Sequence, residues 1–370
     1  MGFAPVAFLR ELVAIPSADP PGGELAVALR VHEALTGLGI EAELDEFLPG
    51  RANVVGRLRG RGEKAPLVFS AHMDTVPPGE RAWSHPPFAG DLVDGKVRGR
   101  GAADMKSALA AFIAAAAALR GGPQLAGDVI LAFTAGESAN CLGARRLVER
   151  GFRAEIGAFL CGEPSTLDLV LAEKAVLWVE ALAEGRSGHV SGDPGVDAIR
   201  LMRGFLDRLD GWRPVETPHP LLTPPSVAIG RIEGGQAVNV TPDRCRAEID
   251  IRFAPGTHHE AVMADLRRLA PPGLRLSVID FKPAVAAKPG CAFVVACAAA
   301  AEAETGRAPA RLGVPYYSDG AILLDGLDAP FVILGPGPLG MSGQIDEWVE
   351  AEAVEAAARI YTRVARDWLA

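Results

Sequence analysis

The feature that most narrows the fold is an alternation of apolar strands with helix-spaced segments through the first half of the chain. Ala4 to Ile15 and Gly23 to Leu38 carry helical apolar spacing, and Ala52 to Leu58 and Pro66 to Ala71 read as strands. Met105 to Leu119 follows as a helix, Asp128 to Phe133 as a strand, Gly143 to Arg150 as a helix and Ile156 to Cys161 as a strand. Such alternation implies an α/β domain with a mostly parallel sheet covered by helices on both faces. In sheets of this kind ligand groups gather beyond the C-terminal ends of the strands. His72, Glu137 and Glu163 each stand just past a strand end, so they are able to converge.

From about Ala175 the order changes. Val176 to Ala183, Ser226 to Glu233, Arg244 to Phe253 and Leu274 to Asp280 read as strands, and Val196 to Leu209 and His258 to Leu269 as helices. Strand-helix-strand-strand-helix-strand is the ferredoxin-like α+β pattern. The expected organisation is therefore a catalytic, metal-binding domain over residues 1–175 and 286–370, interrupted by an inserted ferredoxin-like domain over 176–285. The return segment holds a helix from Cys291 to Thr305, a Gly/Asp-rich loop at Tyr317 to Gly320, the strand Pro330 to Leu334 and a last helix near Glu350 to Trp368.

Composition closes off several function classes. The 370 residues are 49% hydrophobic, which a folded, two-domain protein requires. A net charge of -9 argues against a nucleic-acid surface. The cysteines Cys141, Cys161, Cys245, Cys291 and Cys297 are odd in number and fit neither a disulfide framework nor a CxxC zinc site. Reduced thiols in a cytoplasmic protein account for them. No basic segment followed by an apolar core opens the chain, so no signal peptide is expected. The run Ala108 to Leu119 is too short to span a bilayer and reads as a buried helix.

Four short motifs carry the chemistry. Ser70-Ala71-His72-Met73-Asp74 puts an imidazole and a carboxylate two residues apart at the end of a buried strand. That suits a metal-binding histidine whose second nitrogen is held by a neighbouring acid, and equally a satisfied histidine at a capped strand end. Asp104, in Gly99-Arg100-Gly101-Ala102-Ala103-Asp104, begins the Ala-rich helix, where taken alone it reads as an N-cap. Glu137 in Thr134-Ala135-Gly136-Glu137-Ser138 and Glu163 in Cys161-Gly162-Glu163-Pro164 follow strands, where taken alone each is a solvated loop acid. One imidazole and two carboxylates make a sound zinc shell with a coordination position left open, the mark of a catalytic site. A further carboxylate beside it is able to serve as a base.

Together with Trp83, Pro87-Phe88, Gly185-Arg186-Ser187-Gly188-His189, Pro194 to Ile199, Gly234 to Val240 and Gly335-Pro336-Gly337, these motifs resemble a family of metal-dependent amidohydrolases and exopeptidases. Acetylornithine deacetylase, succinyl-diaminopimelate desuccinylase, aminoacylase and glutamate carboxypeptidase belong to it. The resemblance covers nearly the whole chain and implies roles. His72, Asp104 and Glu163 would bind one metal, with Asp104 at the position that bridges two metals in relatives. Asp74 would orient His72, and Glu137 would be the general base. His189 would polarise the scissile carbonyl across a homodimer, and Asn239 and Arg252 would contact substrate.

The chain also departs from that pattern. Relatives carry two adjacent glutamates where Glu137-Ser138 stands, and a histidine where Gly343 stands; no histidine follows His259. Both missing groups bind the same second metal in relatives. A hydroxyl is a poor ligand and glycine is none, so that site is expected to be weak or absent unless Gln344, Asp346 or Cys141 rebuilds it. The implied cofactor is one divalent cation, zinc, with cobalt or manganese as alternatives. The implied activity is hydrolysis of an N-acyl amino acid or small peptide by a cytoplasmic homodimer, without nucleic-acid or membrane partners. Acyl transfer or amide formation, and a catalytically silent protein that binds an amino-acid-like ligand, are the competing readings.

Overall fold

The computed structural model describes residues 2–138, 140–189 and 191–370. It divides into two compact units, one of Met1–Leu171, Ala286–Leu312 and Ser318–Ala370, the other of Ala172–Val285 with Gly313–Tyr317. The first boundary thus falls a few residues before the expected 175/176. The return segment near 315 also lends residues to the second unit. The cause is local: Arg252 donates to the Pro315 carbonyl at 2.8 Å, and the Lys282 ammonium lies 4.4 Å from the Tyr317 ring centre.

The first unit opens with helices α1 (Pro5–Val13) and α2 (Leu25–Gly37) and strands β1 (Glu41–Leu48), β2 (Arg51–Leu58) and β3 (Leu67–His72). The short strands β4 (Asp91–Val93) and β5 (Lys96–Arg98) lead to α3 (Ser107–Arg120), β6 (Val129–Thr134), α4 (Leu142–Glu149), β7 (Ala158–Cys161) and β8 (Leu169–Glu173). The second unit holds β9 (Ala175–Glu184), α5 (Ala198–Asp210), β10 (Ser226–Gly234), β11 (Arg244–Phe253), α6 (His259–Leu269) and β12 (Leu274–Lys282). The chain closes with β13 (Val285–Ala286), α7 (Ala292–Thr305), β14 (Arg311–Val314), α8 (Gly320–Leu323), β15 (Phe331–Ile333), β16 (Trp348–Glu350) and α9 (Ala351–Trp368).

The large sheet runs β1-β2-β6-β3-β7-β15-β8-β13, with β14 also paired to β8. Its centre is parallel: β3 pairs with β6 and β7, and β7 with β15. The β1, β2 and β8 pairings are antiparallel, so the sheet is mixed. β3, β6 and β7 are buried along their whole lengths, as apolar strands covered on both faces must be. β1 alternates charged and half-buried residues and gives little apolar signal, which is why it escapes a reading by hydrophobic runs.

Beneath β3, Phe69 stacks on Phe112 of α3 at 4.8 Å, and Tyr361 of α9 packs on both while its hydroxyl donates to the Leu334 carbonyl at 2.7 Å. This aromatic stack fixes the strand that ends in His72. The stretch Ala102–Arg120 is long and apolar enough to cross a membrane, yet 83% of its apolar window is buried inside the protein. In the second unit the antiparallel sheet β10-β11-β9-β12 packs its inward residues Leu177, Val179, Ile249 and Ile251 with Met202 and Phe205 of α5 and Leu266 of α6. Its element order is β-α-β-β-α-β.

Candidate metal centre

Three adjacent parallel strands deliver the site. His72 is the last residue of β3 and pairs with Thr134 at the end of β6, while Ser70 pairs with Cys161 at the end of β7. Chain direction therefore brings His72, Glu137 and Glu163 to one edge of the sheet. The ligand atoms of His72, Asp104 and Glu163 lie within 4.8 Å of one another. His72 Nε2 stands 3.0 Å from Asp104 Oδ1 and 3.7 Å from Glu163 Oε1.

On its other side, His72 Nδ1 donates to the main-chain carbonyl of Asp74 at 2.9 Å, which leaves Nε2 as the ligating nitrogen. Burial works against an imidazolium here. The Asp74 and Asp104 carboxylates outweigh it and hold the His72 pKa well above the ordinary histidine value. Groups that favour a proton at Nε2 also favour a metal cation there, so the donor set fits one divalent ion.

Asp104 reaches the cluster by a route its sequence did not suggest. It does not cap the Ala-rich helix, which begins at Ser107. Residues Ala102–Lys106 form a wide, irregular turn, closed by the Lys106 amide on the Gly101 carbonyl at 2.9 Å, in which Asp104 is non-helical (φ -124°, ψ 98°). Glu347 imposes the turn by accepting from the amides of Ala103 (2.9 Å) and Asp104 (3.1 Å), and it is itself held by the buried guanidinium of Arg100 at 2.6 Å.

Asp74 also differs in detail from expectation. Its carboxylate is 3.5 Å from His72 Nδ1, and its carbonyl makes the closer contact. The carboxylate instead accepts from the amides of Glu137 (3.0 Å) and Ser138 (3.1 Å), fastening the loop that carries Glu137. Burial, joined by the Glu163, Asp319 and Asp74 charges, pushes the Glu137 carboxyl well above the usual range although His72 pulls it down.

Behind the site lie residues that the sequence reading missed. Arg51 binds Asp19 through both nitrogens (2.5 and 3.1 Å) and reaches Glu24 at 3.4 Å, and Asp19, Glu24 and Asp74 form a second buried acidic group. Gly136 turns there at φ +68°, and a Cβ on it would stand 2.6 Å from Arg51 Nη1. Asn53 clamps the same loop, accepting from the Ala135 amide and donating to the Gly143 carbonyl. Asp319, from the Gly/Asp-rich loop, bonds Thr134 Oγ1. No local pattern flags Arg51 or Asn53; the Tyr317–Gly320 loop did flag Asp319, without a role.

His189, Asn239 and Arg252 belong to the second unit. His189 Nδ1 accepts from the Ser191 amide at 3.3 Å, which leaves the ring proton on Nε2 as a donor. His189 is bridged to Val240, the neighbour of the exposed Asn239. Arg252 is engaged by both oxygens of Asp250 at 3.0 Å. Of the candidates to rebuild a second metal site, Asp346 accepts from the Ser84 amide, Cys141 is turned to Asp319, and Gln344 is exposed.

Comparison with known proteins identifies the family and the fold. A family model described as peptidase family M20/M25/M40 matches residues 68–367. Succinyl-diaminopimelate desuccinylase of Rhodospirillum centenum is 31% identical over 383 residues, covering 99% of this chain and 97% of the relative. The Paracoccus denitrificans enzyme of the same name is 30% identical over 392 residues, covering 99% and 98%. Among solved structures, an M20-family metallo-carboxypeptidase from Sulfolobus solfataricus superposes with a TM-score of 0.81 at 18% identity, covering 98% of each chain. A dinuclear metal-binding M20-family peptidase from Bacillus subtilis does so at 0.77 and 20% identity, covering 99% of this chain and 97% of that one.

Proposed function

This chain belongs to peptidase family M20/M25/M40 and is a metal-dependent amide hydrolase, and from that premise we propose that it cleaves an N-acyl amino acid or small peptide using a single divalent cation. The observation that carries the reading is the meeting of His72, Asp104 and Glu163 within 4.8 Å, with Glu137 fastened beside them by Asp74. A nitrogen and two carboxylate oxygens suit zinc, with cobalt and manganese as substitutes. Bound there, the cation supplies Lewis acidity for hydrolysis.

The chain's own residues do the rest. Asp74 holds the ligating tautomer of His72 through its carbonyl and the Glu137 loop through its carboxylate. Glu137, its pKa raised by burial, accepts the proton of the attacking water and hands it to the leaving nitrogen. His189 offers Nε2–H to the carbonyl oxygen, a role supported by the Ser191 amide that occupies its other nitrogen. Asn239 and Arg252 are assigned to substrate contact. For Arg252 a substrate carboxylate has to compete with Asp250.

By resemblance His189 acts from a second copy, so the working form is a homodimer; the exposed strand β10 offers an edge for it. No disulfide joins the five cysteines, in keeping with a cytoplasmic setting.

The test is turnover of N-succinyl and N-acetyl amino acids and dipeptides by zinc-, cobalt- or manganese-loaded protein. Glu137→Gln should lower kcat on the order of 10²- to 10⁴-fold while metal content is kept. Metal-loaded protein that cleaves none of these substrates would overturn the proposal. Regained activity on mixing His189→Ala with Glu137→Gln chains would support the dimer, and none would argue for sites complete within one chain.

A further inference from the structure

We infer that Ser342 has taken over the second oxygen of Asp104, so that the centre is built to hold one cation and not two. The inference rests on the proposed ligand set and deepens it. Asp104 turns Oδ1 toward His72 Nε2, and its Oδ2 accepts a hydrogen bond from Ser342 Oγ. A carboxylate that bridges two cations through its two oxygens needs both of them, and a hydrogen bond to one competes with a cation there. Here one of the two is already occupied by a neutral donor from the chain itself.

The segment that presents Ser342 explains why a second cation does not fit. Gln344 N–H donates to the Met341 carbonyl at 3.2 Å, closing a β-turn with Ser342 and Gly343 at its two central positions. Gly343 has φ +71° while Ser342 is not among the residues of positive φ, the pattern of a type II turn, which favours glycine at its third position. The Gly343 carbonyl is anchored by Arg100 Nη2 at 3.2 Å, and Arg100 is anchored in turn by Glu347. A histidine at 343 would place a side chain at the position where the turn needs left-handed backbone. The turn that delivers the Ser342 hydroxyl therefore disfavours a metal-binding side chain at 343. Ser138, the other place where relatives supply a ligand, offers only a hydroxyl, and its amide is taken by Asp74.

Space is not the obstacle at Gly343, since a Cβ there would meet nothing nearer than Val76 Cγ2 at 3.8 Å. Any effect of a small side chain at that position is thus an effect on backbone conformation. That separates the turn argument from simple crowding.

The experiment counts metal and measures its affinity rather than activity. Purified full-length chain is titrated with Zn²⁺ against a chromophoric chelator, and bound metal is determined by elemental analysis. The wild type should hold one ion per chain. Ser342→Ala should still hold one but bind it about tenfold more weakly, because a hydrogen-bonded partner that orients a ligand has been removed. Gly343→Ala should weaken binding in the same direction, since alanine resists the positive φ. Melting of metal-free Ser342→Ala should match wild type, because Ser342 is exposed, whereas metal-free Gly343→Ala should melt slightly lower because alanine is strained at the positive φ.

Two ions per wild-type chain, or unchanged affinity in both variants, would overturn the inference while leaving hydrolysis at the His72 centre intact. A wild-type chain that holds no ion would overturn the metal reading and this inference together.

Discussion

Replacing Arg51 by methionine tests how the loop that bears Glu137 is held in place. The guanidinium is 11% exposed and faces Asp19 (1%) and Glu24 (0%), with Asp74 in the same buried group. Burial raises the Glu24 pKa, opposed by the Gly23 amide and by Arg51. Arg51 itself is held charged, chiefly by its hydrogen bonds to Asp19. Methionine keeps most of the volume and removes the cation paired with Asp19 and Glu24, while His72 stays beside Asp74. Breaking one partner out of a buried ion pair costs about 3–5 kcal/mol. That is a large share of the roughly 5–15 kcal/mol that holds a typical domain together.

The assay is urea denaturation of wild type, Arg51→Met and Arg51→Lys, at pH 8 and pH 5. Lysine restores charge without the two-pronged contact to Asp19 and should recover part of the loss. The sign of the pH effect follows from Glu24. Its folded pKa lies above the unfolded value, so its contribution is fully present below about 4.5 and is lost as pH rises through the folded value. The Arg51→Met deficit should therefore be smaller at pH 5 than at pH 8. A deficit under about 1 kcal/mol at both pH values would refute the reasoning, since it would mean Asp19 and Glu24 do not depend on their cation.

Three further outcomes follow from other buried groups. Burial lowers the Lys106 pKa to about 7, and a neutral amine has two protons for its two acceptors, the carbonyls of Leu12 (2.9 Å) and Ile15 (2.7 Å). The unfolded chain then binds more protons between pH 7 and the ordinary lysine value, so wild type should gain roughly 2 kcal/mol over Lys106→Met between pH 7 and pH 9 in denaturant melts. Arg100→Met should cost about 3–5 kcal/mol by stranding buried Glu347, and should weaken zinc binding because Glu347 shapes the Asp104 turn. Removing metal with a chelator should lower the melting temperature. Added zinc should restore it in proportion to the logarithm of its concentration, and a melting temperature indifferent to zinc would count against the centre.

Much of the site was legible in the sequence because it is encoded by apolar runs and where they stop. Continuous hydrophobic stretches ending at Ala71, Phe133 and Cys161 mark strands buried on both faces, and parallel pairing then brings the residues just beyond them to one edge. The backbone at Asp104 was not legible from its own motif. It is set by Glu347, and its side chain's second oxygen is claimed by Ser342, both more than two hundred residues further along the chain. Arg51, Asp19 and Glu24 share this property: each looks like a surface charge in its own neighbourhood, and only when the segments meet are Asp19 and Glu24 buried and Arg51 largely covered. Apolar periodicity thus says which strand ends assemble, while polar contacts of long sequence separation say which oxygen of an assembled carboxylate remains free. The number of cations such a centre holds depends on the second kind of information. The proposed single-cation centre would therefore keep the whole Gly99–Lys106 motif, with the differences lying at Ser138 and in the turn at Ser342-Gly343, both outside that motif.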